Sequence, residues 1–234
     1  MRIAVLSAMA EEIDHYLEVC AVTRRRERAG LTFHEARHGG HDLVMVKSGV
    51  GKVNAALCTQ ALIDDFAPDA IVCTGSAGAL HDGVDIGDIV IAEDCVQHDV
   101  RVDFLGLPPG QIPFSDLRFF ASAPELVDRA TAVDLGDHVI HRGRICTGDT
   151  FIQDESRRAA LREELDGDCV EMEGAAVGQV CTLNNTPFLL VRAISDHADG
   201  SSDIDFQSFL HEAALSSARI VLRLVDHLDD GDGA

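Results

Sequence analysis

Carboxylates follow several apolar runs of this 234-residue chain, where they could exchange protons with a bound molecule. Glu12 comes shortly after the run RIAVLS, and Asp196 comes shortly after the run FLLVRAI. Glu173 lies in a third segment, VEMEGAA, among apolar and small residues. Two more apolar runs end in polar and small residues, at Gly75-Ser76-Ala77-Gly78 and at Thr147-Gly148-Asp149-Thr150-Phe151-Ile152. Since ligands of α/β folds bind beyond the carboxyl ends of strands, the three carboxylates could converge on one pocket.

Each of these segments also has a purely structural interpretation. Glu12 would favour a helix N-terminus through the helix dipole. Gly75–Gly78 could form a tight turn with an N-cap, and Asp196 could cap a short helix. Glu173 is harder to explain in this way, because a carboxylate inside an apolar helix is costly unless it is paired or faces a ligand. Arg192 is a plausible structural partner for it.

Two other kinds of site are not predicted. The glycine string at Gly75–Gly78 lacks the spacing G-x-G-x-x-G, which argues against a dinucleotide site. His34 and His38 fall on a predicted strand and its turn, where extended chain separates them by roughly 13 Å. That distance is too long for a shared ion, and the sequence therefore predicts no metal site.

Apolar runs alternate with segments of helical spacing along the chain. The runs predict strands at Arg2–Ser7, Leu31–Arg37, His41–Ser48, Ala70–Thr74, Asp88–Ala92, Val139–Cys146 and Phe188–Ile194. Helices are predicted at Ala10–Cys20, Gly51–Phe66, Cys169–Val180 and Phe206–Leu228. The proline-containing stretch between Ala92 and Val139 is predicted to be a long loop. This alternation indicates an α/β fold, with a central mixed, twisted sheet and helices on both faces.

Composition narrows the class of protein further. Hydrophobic residues make up 46% of the chain and no linker divides it, which favours one domain over residues 1–228 and a disordered acidic tail at 229–234. Forty acidic and 19 basic side chains give a formal net charge of -21, which argues against a nucleic-acid or anionic-membrane partner. With Lys47 and Lys52 as the only lysines, a high-salt cytoplasm is one hypothesis for this composition.

The cysteines and the N-terminal segment indicate in which cellular compartment the protein is expected. The seven cysteines are scattered singly, which is typical of reduced thiols in a cytoplasmic protein. The apolar stretch Met1–Ala10 reaches Glu11 too soon for a signal peptide. No apolar run approaches the roughly 20 residues of a membrane helix, so no membrane partner is expected.

The chain resembles the 5′-methylthioadenosine/S-adenosylhomocysteine nucleosidases in seven strings, which occur in the family's order and spacing. These strings are AMAEE, KSGVGKVNAA, IVCTGSAGAL, GDIVIAEDCVQHD, TGDTFI, VEMEGAA and VRAISDHAD. The resemblance extends from Met1 to about Leu228 and implies the nucleoside phosphorylase-like fold. It further implies a homodimer, no metal or organic cofactor, and a place in methionine salvage. The implied reaction is hydrolysis of the N-glycosidic bond of a 5′-thioadenosine to adenine and a 5′-thioribose.

The resemblance also implies roles for single residues. Glu12 matches the base that activates the attacking water, Asp196 matches the acid that protonates N7 of adenine, and Glu173 matches the carboxylate that holds the ribose hydroxyls. Phe151 matches the ring that stacks on adenine, and Ile152 the backbone that reads its edge. The other implied substrate contacts are Met172 along the sugar, Ser76 and Arg192 around the water and Glu173, Ser195 beside Asp196, Met9, Val50 and Phe206 near the 5′ group, and Ala77, Gly78 and Ala198.

One stretch departs from the family pattern. Val102, Leu105 and Pro113 match the positions through which a partner subunit closes the 5′-substituent pocket, but an aromatic residue is more usual at the position of Leu105. Pro108 and Pro109 are also unusual there. The preference among methylthioadenosine, S-adenosylhomocysteine, 5′-deoxyadenosine and aminodeoxyfutalosine therefore stays open.

Two alternative functions can be compared with the residues that the chain contains. A purine nucleoside phosphorylase needs a cationic cradle for phosphate. The loop Ser7–Glu12 offers carboxylates instead, Thr74 stands where a phosphate-binding Arg is expected, and Arg24–Arg26 is expected to be a solvated surface cluster. A catalytically idle nucleoside-binding protein would be expected to lack an acid or a base, whereas this chain has both.

Overall fold

We describe a computed structural model of the chain, covering residues 1–136 and 138–228. The strands are β1 (Arg2–Ser7), β2 (Ala21–Arg28), β3 (Leu31–His38), β4 (His41–Lys47), β5 (Ala70–Ala79), β6 (Ile89–Gln97), β7 (Phe119–Ala121), β8 (Ile140–Thr147), β9 (Cys169–Glu171) and β10 (Phe188–Asp196). The helices are α1 (Ala10–Val19), α2 (Lys52–Phe66), α3 (Pro124–Thr131), α4 (Glu155–Leu165), α5 (Gly174–Asn184) and α6 (Ser202–Asp226). The tail 229–234, for which disorder was predicted, lies outside the described residues.

The strands form one mixed sheet. Strand β5 pairs in parallel with β1 and β10, and β1 pairs in parallel with β4. From β10 the sheet continues through β6, β8 and β9 to β5. Because β5 also pairs with β10, these five strands close into a ring. The antiparallel strands β3 and β2 extend the sheet beyond β4. The carboxyl ends of β1, β5 and β10 therefore meet at one edge.

Helices cover both faces of this sheet, as the alternating pattern predicts. On one face, α2 and α5 bury residues such as Leu62 and Val177 against the sheet. On the other face, α1, α3 and α6 bury residues such as Ile13, Leu126 and Val221. The predicted fold class, an α/β domain with a mixed sheet between helical layers, is confirmed.

The predicted long loop between Ala92 and Val139 is wrong in part. Strand β6 continues to Gln97, and the segment then forms a short 3₁₀ turn at Asp103–Leu105, the strand β7 and the helix α3. Strand β2 and helix α4 were not predicted at all. Strand β2 is rich in arginine and lies at the edge of the sheet, where its side chains need not be apolar.

Two further corrections concern the edge at which the predicted pocket lies. The tight turn considered for Gly75–Gly78 is wrong, because β5 runs without interruption through these residues to Ala79. The helix predicted over Cys169–Val180 is wrong in its first part, which forms the strand β9. Glu173 is consequently the N-cap residue of α5 and does not lie inside an apolar helix.

No helix within residues 1–136 and 138–228 is long and apolar enough to cross a membrane.

Candidate active site

A cavity of about 400 Å³ opens where β1, β5 and β10 end. Glu12, Glu173 and Asp196 all line it, although they lie far apart in the sequence. Among the described residues, the lining consists of Ala8, Met9, Glu12, Val50, Ser76, Ala77, Gly78, Phe151, Gln153, Val170, Glu171, Met172, Glu173, Ser195, Asp196, Asp203, Phe206 and Gln207. The predicted convergence of the three carboxylates is thus observed.

Glu12 is 2% exposed and is held by two segments of backbone. One carboxylate oxygen accepts hydrogen bonds from the Ala8 and Met9 N–H groups, each at 3.0 Å. The other oxygen accepts from the Ser76 N–H at 3.0 Å and from the Ser76 hydroxyl at 3.3 Å. Burial raises the pKa of Glu12, while Arg192 and the backbone donors act in the opposite direction. Glu12 therefore lies in the first turn of α1, where its carboxylate accepts from the N-cap residue Met9, and it also faces the cavity.

Asp196 ends β10 beside Gly78 of β5. Its Oδ2 accepts a hydrogen bond from the Ser195 hydroxyl at 3.0 Å, and its Oδ1 accepts one from the Ala198 N–H at 2.9 Å. Burial raises the pKa of Asp196 above its ordinary value, although these donors lower it. The carboxyl group is thus fixed in orientation, and its environment favours the protonated form more than water does.

Glu173 and Glu171 lie side by side at the start of α5. Glu173 accepts a hydrogen bond from the Gly51 N–H at 2.7 Å, and its other oxygen is 3.8 Å from Arg192 Nη2. Glu171 forms the closer ion pair with Arg192 and also accepts hydrogen bonds from the Thr147 hydroxyl and from the N–H groups of Glu173 and Gly174. Arg192 therefore pairs mainly with Glu171 and only at longer range with Glu173, the partner proposed for it.

Burial and the neighbouring charges shift the pKa of Glu173 partly upwards and partly downwards. Burial and the negative charge of Glu171 raise the pKa of Glu173 to about 7, against the attraction of Arg192. A carboxylate in this position is free to change its protonation state near neutral pH.

Two glycines of β5 allow the carboxylates to approach the strand. A Cβ atom at Gly75 would lie 2.6 Å from both Glu12 Oε1 and Arg192 Nη1. A Cβ atom at Gly78 would lie 2.6 Å from Asp196 Oδ1. These contacts are shorter than van der Waals separation, so any larger residue would displace an acidic side chain from the cavity.

Apolar side chains form the opposite wall. The rings of Phe151 and Phe206 meet edge to face, with centroids 5.7 Å apart. Phe151 is 41% exposed and Val50 is 47% exposed, and both line the cavity together with Met9. Large apolar surfaces that remain exposed beside buried carboxylates are typical of a site that binds a flat, partly apolar ligand.

Three residues predicted to contact the substrate do not line this cavity. Ile152 is buried with Val170 and borders a small adjoining recess. Arg192 lies behind the carboxylates, and Ala198 is buried beneath Asp196, to which its N–H donates.

The predicted partner-subunit residues Val102, Leu105 and Pro113 lie on the segment around the 3₁₀ turn and do not line the cavity of this single chain.

In the part of the chain that the structure describes, six further residues line the cavity and are not predicted from the sequence: Ala8, Gln153, Val170, Glu171, Asp203 and Gln207. Of these, Glu171 lies in the string VEMEGAA, beside residues already assigned. Asp203 and Gln207 flank Phe206 on the first turns of α6, so the helical spacing around Phe206 was the available signal.

The described residues supply neither a basic side chain to the lining nor a cluster arranged to hold a metal ion. Within residues 1–136 and 138–228, neither lysine nor arginine lines the cavity. The same residues contain no group of three or more His, Cys, Asp or Glu side chains arranged to hold a metal ion.

Comparison with known proteins agrees with this architecture. The phosphorylase superfamily matches residues 2–226. A 5′-methylthioadenosine/S-adenosylhomocysteine nucleosidase of Bacillus pumilus is 41% identical over 229 residues, covering 96% of this chain and 98% of the relative. The nucleosidase of S. pneumoniae, solved with the transition-state inhibitor MT-ImmA, is 35% identical, with a TM-score of 0.92 over 98% of this chain and 100% of that one.

A futalosine hydrolase mutant of Helicobacter pylori is similar to the same degree, with 33% identity and a TM-score of 0.93 over 97% of this chain and 100% of that one. The match to the superfamily and the high coverage of the curated relatives confirm the resemblance found in the sequence. The chain belongs to the 5′-methylthioadenosine/S-adenosylhomocysteine nucleosidase family of the phosphorylase superfamily.

Proposed function

We propose that this protein hydrolyses the N-glycosidic bond of 5′-thioadenosines, releasing adenine and a 5′-thioribose. The observation that carries the proposal is the convergence of three buried carboxylates, Glu12, Glu173 and Asp196, on one cavity with an aromatic wall. Relatives with the same fold are named for hydrolysis of methylthioadenosine and S-adenosylhomocysteine.

Asp196 is proposed as the general acid. Departure of adenine pushes electrons into the purine, so a proton must reach N7 as the C–N bond breaks. The raised pKa of Asp196 favours the protonated carboxyl group that this step needs, and burial is the cause. Ser195 and the Ala198 N–H hold the carboxyl in one orientation, and the adjoining Phe151 ring offers a surface on which adenine can stack.

Glu12 is proposed as the general base. Its four hydrogen bonds fix the carboxylate, and its raised pKa makes it a better acceptor of the proton of water. Water activated by Glu12 would attack C1′ from the face opposite adenine, which is the inverting arrangement of glycoside hydrolysis.

Glu173 is proposed to hold the ribose hydroxyls and to stabilise the developing cation by its negative charge. The hydrogen bond from Gly51 and the long contact to Arg192 position its carboxylate without neutralising it. The short ion pair of Arg192 with Glu171 supports this role, because Glu171 takes most of the attraction of the arginine.

Water is favoured over phosphate as the nucleophile by the charge of the cavity. The carboxylates of Glu12, Glu171, Glu173, Asp196 and Asp203 line it, and the described residues place no basic side chain in the lining. Arg192 lies behind the lining, in an ion pair with Glu171. A phosphate dianion would be repelled by these carboxylates and would find no cationic cradle.

The experiment that tests the reaction is a panel assay of adenine release. Methylthioadenosine, S-adenosylhomocysteine, 5′-deoxyadenosine and aminodeoxyfutalosine would be compared at equal concentration by kcat/KM. We expect the two thioadenosines to be cleaved fastest. Release of adenine from none of the four would refute the proposed reaction.

Aminodeoxyfutalosine remains the second candidate substrate. The specific observation in its favour is the similarity to the H. pylori futalosine hydrolase over nearly the whole chain. Its adenine end would meet the same Asp196 and Phe151. A higher kcat/KM for aminodeoxyfutalosine than for methylthioadenosine would assign the protein to this second function.

We further propose that the active unit is a homodimer, whose partner closes the 5′ end of the cavity with Val102, Leu105 and Pro113. Large apolar side chains stand unusually exposed on the helices α2 and α5 and on the segment that carries the three residues. They are Val53, Leu57, Phe104, Phe114 and Leu183. A hydrogen bond between Gln60 and Asn184 joins the outer surfaces of α2 and α5 into one face.

The dimer can be tested at Leu57, which is half exposed on α2. A Leu57→Asp substitution should shift the mass measured by light scattering from dimer to monomer, because a charge would be buried without a partner. KM for methylthioadenosine should rise with the loss of the dimer. A parent protein that is monomeric at assay concentration would refute the proposal.

A cytoplasmic location and a role in methionine salvage are proposed with the reaction. All seven cysteines are buried and free, which fits a reducing compartment. Enzyme activity in the cytoplasmic rather than the secreted fraction of the source cells would test the location.

A further inference from the structure

We propose that Asp99 is a positioning residue, which joins Lys52 and Asp149 into a clasp across the mouth of the active site. The clasp is defined here as the side chains of Lys52, Asp99 and Asp149 together with the backbone N–H groups of Lys52 and Asp149. The kinetic part of this inference rests on the proposed function, whereas its structural part does not.

The clasp is a closed ring of hydrogen bonds between three separate segments. One oxygen of Asp99 accepts from Lys52 Nζ at 2.6 Å, and the other accepts from the Asp149 N–H at 3.0 Å. The Asp149 carboxylate in turn accepts from the Lys52 N–H at 2.8 Å. Each member therefore contacts both of the others, and loss of any one opens the ring.

Charge and partial burial strengthen the ring. The side chains of Lys52 and Asp99 are 18% and 28% exposed, so water screens their ion pair less than it screens a pair on the open surface. Lys52 Nζ also donates to Gln97 at 3.0 Å, at the end of β6. Burial would raise the pKa of Asp99, but the hydrogen bonds from Lys52 and Asp149 hold it below its usual value. Asp99 is thus a permanent anion in this ring at neutral pH.

One side of the clasp leads to the proposed ribose-binding carboxylate. The Gly51 N–H, one residue before Lys52, donates to Glu173 at 2.7 Å. Val50, the residue before Gly51, lines the cavity. The ring fixes the N–H of Lys52, so it restricts the backbone that orients Glu173 and carries Val50.

The other side leads to the aromatic wall. Asp149 follows the end of β8 and lies two residues before Phe151, which lines the cavity and contacts Phe206. Val50 and Phe151 are both exposed, and they stand on segments that no strand pairing joins to each other. The clasp connects these two segments directly, and we infer that it sets the width of the cavity mouth between them.

Hydrogen–deuterium exchange of the full-length protein tests the structural part without reference to any reaction. An Asp99→Ala substitution removes the acceptor of the Asp149 N–H and the partner of Lys52. Amide exchange should become faster in segments 49–53 and 147–152, neither of which contains the altered residue. Unchanged exchange in both segments would overturn the clasp.

Steady-state kinetics on methylthioadenosine test the positioning role. Asp99→Ala should lower kcat/KM by about 10- to 100-fold, because a misplaced Glu173 lowers kcat and a displaced Phe151 raises KM. Asp99→Asn keeps an acceptor for the Asp149 N–H and should restore part of the loss. A Lys52→Met substitution carries the same test if Asp99→Ala does not fold.

A double-mutant cycle and a matched control separate positioning from a general loss of stability. If Lys52 and Asp99 act through one ring, their combined effect on kcat/KM should be smaller than the product of the single effects. The control is Asp128→Ala on α3, which breaks a 2.9 Å ion pair with Arg142 on the surface and should change kcat/KM by less than about twofold.

Values of kcat/KM within twofold of the parent for both Asp99→Ala and Lys52→Met would overturn the positioning role. If the parent itself releases no adenine, the proposed function fails, and the exchange measurement still decides whether the clasp exists.

Discussion

Replacement of Glu173 by Gln should stabilise the folded protein in a way that depends on pH. The pKa of Glu173 is raised from 4.5 to about 7, first by burial and then by the charge of Glu171. Because the folded-state pKa of Glu173 is raised, its protonation stabilises the folded protein fully below pH 4.5. This contribution is lost as the pH rises through about 7. Above that pH, the folded protein carries a buried carboxylate next to another one.

The size of this effect follows from the two pKa values. At about 1.4 kcal/mol per pKa unit, the step from 4.5 to about 7 amounts to about 3 kcal/mol. Gln has no charge to bury and keeps an oxygen that can accept the hydrogen bond from Gly51. Glu173→Gln should therefore raise the free energy of unfolding by up to about 3 kcal/mol at alkaline pH and change it little at acid pH.

Urea unfolding of the parent and of Glu173→Gln at about pH 5 and about pH 8 would measure this difference. Glu125→Gln, which removes an exposed carboxylate from α3, is the control for the reduction in net charge. A gain in stability that is equal at both pH values, or a loss at about pH 8, would show that the charge of Glu173 is not held at a cost to stability. We expect the stabilised variant to lose most of its activity, since the same charge is proposed to act on the ribosyl cation.

Three further predictions concern the proposed acid, the aromatic wall and the surface charge. Asp196→Asn should lower kcat by about 10²- to 10⁴-fold while substrate still binds in an equilibrium assay, and near-parent turnover would mean that the acid is another residue. Phe151→Leu should raise KM for methylthioadenosine by roughly three- to tenfold with a smaller change in kcat, because stacking on adenine and the contact with Phe206 are both lost. If the net charge of -21 reflects adaptation to high salt, the circular dichroism signal of the helices should fall when salt is removed, and a flat response would rule that explanation out.

The layered α/β fold could be predicted because its buried strands are continuous apolar runs. RIAVLS and FLLVRAI coincide closely with β1 and β10, and both are followed directly by residues that line the cavity. Strand β2 could not be found in the same way, since it lies at the sheet edge and its arginine side chains reach solvent. Apolar patterning reports burial, and an edge strand need not be buried.

More of the cavity lining could be predicted than of the groups that hold the lining in place. The sequence predicts Glu173 to be a carboxylate inside an apolar helix, but it occupies the N-cap position of α5 and its side chain makes no capping hydrogen bond. The strand β9 before it is only three residues long. Glu171 was not assigned, although it holds Arg192 and the first N–H groups of α5. Its role depends on side chains of β8 and β10, Thr147 and Arg192, which the ring of strands brings to it, and no local sequence pattern reports such a contact.

The glycines of β5 illustrate the same limit. Read locally, Gly75-Ser76-Ala77-Gly78 favours a turn. In the fold, Gly75 and Gly78 lie within β5, and both positions need glycine because side chains of α1 and β10 lie too close to leave room for a Cβ atom. The need for glycine at these two positions can be recognised only from the folded structure, in which Glu12 and Asp196 lie against them.

The most direct test of the central claim is the dependence of adenine release on phosphate. The acidic cavity, in which the described residues place no basic side chain, predicts that purified protein cleaves methylthioadenosine at the same rate in phosphate-free buffer and in added phosphate. The sugar product should be free 5-methylthioribose. An absolute requirement for phosphate, with a sugar 1-phosphate as product, would contradict the account.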